Sequence, residues 1–247
     1  MKTFNTMLKT EFKLSFRGMD MIIFAICMPI VVLVVLGFIY GDKPAFDGAS
    51  YTFIQQSFGA LTSIAICAGG VMGLPLVVSD YRSKRILKRF RVTPVKPVMI
   101  LMVQVTIYAL YSLVSLISLF IVSTLCFNFK QEGSILQFLL GWLLVMISMF
   151  SIGMMVGGIA KNSKIAGIIA SLLYFPMLVF SGATLPYEVM PTTMQKVADV
   201  IPLTQGIKIL KSTTLGLPID NMMLPIILMF AIAAICSFVA IKWFKWE

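Results

Sequence analysis

Six stretches of this chain contain no Asp, Glu, Lys or Arg: residues 21–40, 51–79, 97–129, 133–160, 165–187 and 221–241. Each is long enough for the roughly 20 apolar residues that one helical crossing of a bilayer requires. Within lipid every backbone N–H and C=O must be satisfied internally, so a crossing segment of this kind is read as a helix. Of the 247 residues, 59% are apolar and 12% charged, against about 45–50% and 25% in soluble domains. The expectation is an all-α membrane protein with six transmembrane helices in a single domain, residues 1–247, which leaves no length for a separate catalytic domain. The first run, about 20 residues, exceeds the ~7–15 of a signal-peptide core, and Gly41-Asp42-Lys43-Pro44 does not read as a small-residue cleavage site. It is therefore expected to be retained as a helix.

The placement of positive charge sets the orientation. Lys and Arg number four before the first span, then one, seven, one, two and three in the successive loops, and two in the tail. With both termini cytoplasmic, fifteen lie inside and five outside, as the positive-inside rule demands. The chain is then a multi-pass protein of the cell membrane. The formal charge of +10 is thereby accounted for by topology, and no nucleic-acid partner is expected.

What is missing narrows the function. The chain has no histidine, which removes imidazole acid/base catalysis and the usual imidazole metal sites. Cys27, Cys67, Cys126 and Cys236 sit in apolar stretches without CxxC spacing and read as packing residues. The spans carry no titratable acid or base, which argues against ion-coupled transport and against an intramembrane hydrolase. No catalytic residue, metal ligand or cofactor site is expected in this chain, and its substrate-contacting residues are unknown.

Three segments outside the spans could carry function. Residues 1–20 read as an amphipathic interfacial helix, with Phe4, Met7, Leu8, Phe12 and Phe16 on one face and Lys2, Lys9, Lys13 and Arg17 on the other. It is a lipid anchor or an anchor that also touches a cytoplasmic partner. The loop at residues 80–96 is the densest in charge, with Tyr81, Ile86, Leu87 and Phe90 grouping on one side of a short exposed helix that Thr93-Pro94 ends. By itself this run is either a topology signal in contact with anionic lipid or a docking element. The outer segment, residues 182–221, repeats apolar residues at Met194, Val197, Ala198 and Ile201, breaks at Pro202 and resumes at Leu203, Ile207 and Leu210. It reads as two short helices forming a re-entrant hairpin, or as an amphipathic loop on the outer surface.

Small residues at Ala65, Gly69 and Gly73, at Gly153 and Gly157, and at Ala166 and Ala170 suit close helix packing. Pro29, Pro75 and Pro176 fall within spans and are expected to kink them. The methionine cluster Met146, Met149, Met154 and Met155 reads as packing rather than a pathway.

Asp80 through Leu101, with Thr93-Pro94-Val95 near its end, resembles the cytoplasmic loop of ABC type-2 transporter permeases. Phe175-Pro176, Ser181-Gly182, Pro186, Met190-Pro191 and Ile201-Pro202-Leu203-Thr204 resemble the same family's fifth span and the external segment after it. Arg85 and Lys88 stand roughly where many members carry acidic residues and a glycine. The resemblance implies a permease that pairs with a second, identical or paralogous permease and with two ABC ATP-binding subunits. ATP and Mg would be bound by those partners, since this chain has no Gly-Lys dipeptide and hence no GxxxxGK[ST] phosphate loop.

The resemblance further assigns a coupling helix to residues 80–91, with Asp80, Tyr81, Arg82, Arg85, Ile86, Leu87, Arg89 and Phe90 meeting the ATPase. An external gate is assigned to Ser181, Gly182, Pro186, Pro191 and Pro202. The expected function is the permease subunit of a bacterial exporter of the drug- or antibiotic-resistance kind, moving an apolar or amphipathic molecule such as a drug, peptide antibiotic or lipid. Alternatives are a self-sufficient channel or ion-coupled carrier, or a membrane scaffold that recruits cytoplasmic factors.

Overall fold

The computed structural model describes residues 2–18, 20–41, 43–46, 48–84, 86, 97–182, 187, 190–218 and 222–243. Their helices are α1 (Lys2–Gly18); α2, built from Asp20–Ile22, Ile23–Cys27 and Met28–Tyr40; α3, built from Phe53–Cys67, Ala68–Gly73 and Leu74–Ser83; and α4 (Pro97–Phe127). There follow α5 (Ile135–Ile159), α6 (Ser163–Phe180), α7 (Thr192–Val200), α8 (Pro202–Leu215) and α9 (Met223–Trp243). Among the described residues six segments are long and apolar enough to cross a membrane: Ile23–Tyr40, Phe53–Ser83, Val98–Phe127, Ile135–Ile159, Ser163–Phe180 and Met223–Trp243. The protein is a multi-pass helical membrane protein.

Local chemistry sets where these helices begin and bend. Thr52 and Gln55 form a reciprocal capping box at the start of α3, the Gln55 N–H donating to Thr52 Oγ1 at 3.2 Å and the Thr52 N–H to Gln55 Oε1 at 2.8 Å. Asn162 caps α6 by accepting the Ile165 N–H at 2.9 Å. At Pro29 and Pro75 the chain solves the missing N–H with a wide turn. Ile23–Cys27 and Ala68–Gly73 are π-helical, and the N–H groups of Met28 and Leu74 reach back five residues to the carbonyls of Ile23 and Gly69. Each proline thus falls at the start of the α-helical stretch that follows, where its missing N–H interrupts least. Pro176, by contrast, lies inside α6.

α3 is the central helix. Phe58, Ile66, Val71, Leu74 and Val78 are fully buried along it. Phe58 is ringed by Phe129, Phe138 and Phe120, with centroids at 4.6, 5.7 and 6.3 Å. The second half of α3 packs directly on α5, and the glycines make that approach possible. A Cβ at Gly153 would collide with the carbonyl oxygen of Gly70, and one at Gly157 would lie 2.8 Å from Val78 Cβ. The small residues therefore serve contacts within the chain, as their spacing suggests.

α8 is the most buried element outside the six long helices, packing on α3, α5 and α9. Leu203 and Leu210 are completely covered. Gly59 of α3 faces the backbone of Lys211, and Gly206 faces Val145 of α5. α7 is more exposed, with Ala198 its buried residue.

Two features depart from the sequence expectations. The charge-free run ends at Ser79, but α3 continues through Ser83, so Asp80, Tyr81 and Arg82 form the last turn of a long helix rather than the first turn of a separate one. α1 packs along α4, and the stripe it turns to the bundle differs from the apolar face read from its spacing. Its bundle-facing stripe is Phe4, Met7, Leu8, Glu11 and Ser15, leaving Phe12 and Phe16 exposed. The physical reason in both cases is a polar side chain that finds its partner on a distant helix.

Candidate functional site

At one end of the bundle, the last turn of α3 is locked to two other elements. Arg82 is 8% exposed. Its Nη1 donates to the carbonyls of Gly157 at 3.0 Å, Ala160 at 3.0 Å and Gly158. These are carbonyls at the C-terminal end of α5, where intrahelical donors run out and the helix dipole is negative. A guanidinium suits that position, since it brings both positive charge and several donors. The paired glycines at 157 and 158 place no side chain around those carbonyls.

The neighbouring Tyr81 joins α3 to α1. Its hydroxyl donates to Glu11 Oε2 at 2.5 Å, and Gln104 of α4 donates its Nε2 to the same oxygen at 3.0 Å. One turn further along α1, Ser15 accepts a hydrogen bond from the Tyr111 hydroxyl at 2.9 Å. Asp80 pairs with Lys84 at 2.8 Å in an i,i+4 arrangement at the surface, a contact of little energetic weight. A cleft of about 370 Å³ lies between these elements, lined in part by Glu11, Asp80, Tyr81 and Gln104.

Of the residues assigned to ATPase coupling, Asp80, Tyr81 and Arg82 are thus brought together, and Arg82 faces inward rather than toward a partner. Ile86 is half-buried. Arg85, Leu87, Arg89 and Phe90 lie outside the described residues.

The assigned gate residues sit at the opposite end of α6 and in the helices that follow. Ser181 ends α6 and is 1% exposed, its hydroxyl donating to the Leu178 carbonyl at 3.3 Å. Gly182 follows with φ +85°, a backbone conformation that favours glycine. Pro191 precedes α7 and Pro202 opens α8. Pro186 lies outside the described residues.

A polar cluster holds the corner between α7 and α8. The Tyr187 hydroxyl donates to both oxygens of Asp199, at 2.9 and 3.1 Å. Lys208 Nζ lies 2.6 Å from Asp199 Oδ1 and 4.1 Å above the Tyr187 ring. Gln195 donates to the Tyr187 carbonyl at 3.0 Å and Gln205 to the Asp199 carbonyl at 2.6 Å. Burial first, and then donation to the Asp199 carboxylate, raise the Tyr187 hydroxyl above the ordinary tyrosine range. One turn along α8, Lys211 Nζ stands 3.3 Å from Gln56 Oε1 and 4.9 Å over the Tyr51 ring.

Sequence reasoning passed over Glu11, Ser15, Gln104, Asp199, Lys208 and Lys211. A signal existed for some of them. Glu11 falls on the apolar stripe of α1, where a carboxylate needs a partner, and Lys208 and Lys211 share one face of α8 with Thr204.

Comparison with known proteins agrees with this architecture. Residues 2–215 match the family described as ABC-2 type transporter. Nodulation protein J of Rhizobium leguminosarum bv. viciae is 36% identical over 76 residues, 31% of this chain and 29% of that protein. The inner membrane transport permease YhhJ of Escherichia coli (strain K12) is 33% identical over 78 residues, 32% of this chain and 21% of that protein. Nodulation protein J of Neorhizobium galegae is 27% identical over 94 residues, 38% of this chain and 34% of that protein. The matched stretches thus span about a third or less of these relatives' length. The family match runs from α1 to the end of α8 and takes in five of the six long apolar helices, so this chain belongs to the ABC-2 type transporter family as a membrane permease subunit.

Proposed function

We propose that this permease is the membrane half of an ATP-driven exporter in the cell membrane, moving an apolar or amphipathic molecule outward. Two permeases, identical or paralogous, form the passage. Two separate subunits bind ATP and Mg and deliver force to residues 80–91. Both termini face the cytoplasm. The segment between α6 and α9 dips back toward the bilayer as a hairpin and acts as the outer gate.

The observation that carries this reading is the Arg82 clamp. A push on the loop after Ser83 moves the end of α3, and Arg82 ties that end to the last carbonyls of α5. Ser148 extends the path from α5 to α9 through its 2.9 Å hydrogen bond to the Met229 carbonyl. Tyr81 extends it to α1 through Glu11. Three helices are thereby moved from one point. The depth at which Gly206 of α8 meets Val145, ten residues into α5, supports the hairpin.

Affinity purification of the tagged permease from its native membrane tests the reading. It should bring down a P-loop ATPase, and the triple substitution Ile86→Asp, Leu87→Asp and Phe90→Asp should release it. Recovery of the ATPase with the triple variant would overturn the coupling assignment, and ion-driven transport by the lone chain in proteoliposomes would overturn the energy source.

A further inference from the structure

The cluster at the α7–α8 corner encloses a cavity of about 170 Å³, lined by Tyr51, Gln56, Tyr187, Thr204, Lys208 and Lys211 among others. That is smaller than the roughly 300–1,000 Å³ of pockets for drug-sized ligands, and fits one headgroup rather than a whole amphiphile. Its described lining holds two ammonium groups and no carboxylate. Asp199, which pairs with Lys208, stands outside the lining. Thr204, Lys208 and Lys211 follow one another at i, i+4 and i+7 along one face of α8. The Thr204 hydroxyl is buried, the residue being 1% exposed, and has no hydrogen-bond partner. A buried hydroxyl without a partner is costly, and Thr204 is one of the residues that line the cavity.

We propose that this cavity binds a phosphate group, carried by an amphiphile or free in solution, with Lys208 and Lys211 supplying charge-assisted hydrogen bonds and Thr204 a neutral one. In the amphiphile form the inference rests on the exporter reading, and names the headgroup chemistry of what passes. The rings of Tyr51 and Tyr187, which line the cavity too, lie 4.9 and 4.1 Å from the two ammonium groups. An apolar occupant would leave Thr204 unsatisfied, and a cation would be repelled by both lysines.

Native mass spectrometry of the full chain in dodecyl maltoside tests the site, with dodecyl phosphate as the probe and maltoside as the neutral-headgroup reference. No ATPase is needed, so a failed exporter assignment leaves this measurement intact. Dodecyl phosphate should be retained over maltoside, and K208Q/K211Q should lower retention by about tenfold or more. Lys196→Gln, a substitution of an exposed lysine on α7, should leave retention unchanged. Asp199→Asn breaks the same ion pair as Lys208→Gln while keeping the ammonium, and should hold or raise retention. Displacement by inorganic phosphate identifies free phosphate as a ligand; retention that phosphate does not displace identifies the amphiphile. Equal retention of both headgroups, no effect of K208Q/K211Q, an equal loss in K196Q, or a loss in D199N matching that in K208Q would each overturn the proposal.

Discussion

Arg82 Nη1 lies 3.0 Å from the carbonyl oxygen of Gly157, so a charged side chain at the end of one long helix closes the end of another. Truncating it leaves the carbonyls of Gly157, Gly158 and Ala160 without that donor in a buried place. Arg82→Ala should therefore lower the unfolding free energy by about 1.5–3 kcal/mol, the range for a hydrogen-bonded charged group. Arg82→Lys should recover part of the loss, since an ammonium keeps the charge but not the planar fork. Thermal unfolding in detergent measures both. Equal midpoints for the wild-type chain and Arg82→Ala would show that the clamp carries no stability.

Glu11 links α1 to both α3 and α4, because one carboxylate oxygen accepts from Tyr81 and from Gln104. Tyr81→Phe removes the bond to Glu11, and with it the one that Gln104 donates to the same hydroxyl at 3.1 Å, without changing the packed ring. At about 1.5–3 kcal/mol for a hydrogen bond to a charged group, α1 should open roughly 13- to 160-fold more often. Hydrogen exchange of the amides in residues 2–18 reads this directly. Exchange that rises equally in α9 would point to general destabilisation instead.

Gly153 and Gly167 offer a matched pair. A Cβ at 153 meets backbone, the Gly70 carbonyl, while one at 167 finds the Leu76 side chain at an ordinary 3.5 Å. Gly153→Ala should destabilise by about 1–3 kcal/mol through overpacking. Gly167→Ala, in the interior of α6, should be neutral or stabilising, because alanine favours helix by up to about 1 kcal/mol. Chemical denaturation of the two variants decides whether the α3–α5 contact is as close as the backbone indicates.

The six long helices were legible because lipid enforces a rule that a charge count can read. What escaped were polar groups whose partners are far away in sequence. Hydropathy stops at Ser79, yet α3 continues because Arg82 finds carbonyls 75 and 76 residues later. Apolar spacing alone runs the stripe of α1 through Phe12 and Phe16, but Glu11 and Ser15 face the bundle because Tyr81, Gln104 and Tyr111 are there to meet them. In α8 the apolar spacing of Leu203, Ile207 and Leu210 did mark the buried side. The lysines beside it share a face with Thr204 in the sequence, but their partners Tyr51, Gln56 and Tyr187 come from other elements that spacing along α8 does not reveal. Charge counting also misses buried neutral groups, and Gln55, Gln56, Ser57, Thr62 and Ser63 all lie inside the bundle on α3.

Orientation gives the last prediction. Ser83 ends α3 on the basic side of the sequence, and Lys43 lies in the loop between α2 and α3, at the other end of α3. Both residues are exposed, so either position accepts a cysteine without disturbing the core. The native Cys27, Cys67, Cys126 and Cys236 are first replaced to give a silent background. A membrane-impermeant maleimide added to intact cells should then label Lys43→Cys and spare Ser83→Cys, and inverted vesicles should reverse the pattern. The bias of fifteen positive charges to five sets this expectation. Labelling of Ser83→Cys from the exterior would put the Arg82 clamp and the loop after it beyond the reach of any cytoplasmic ATPase. Force could then not enter the bundle through α3.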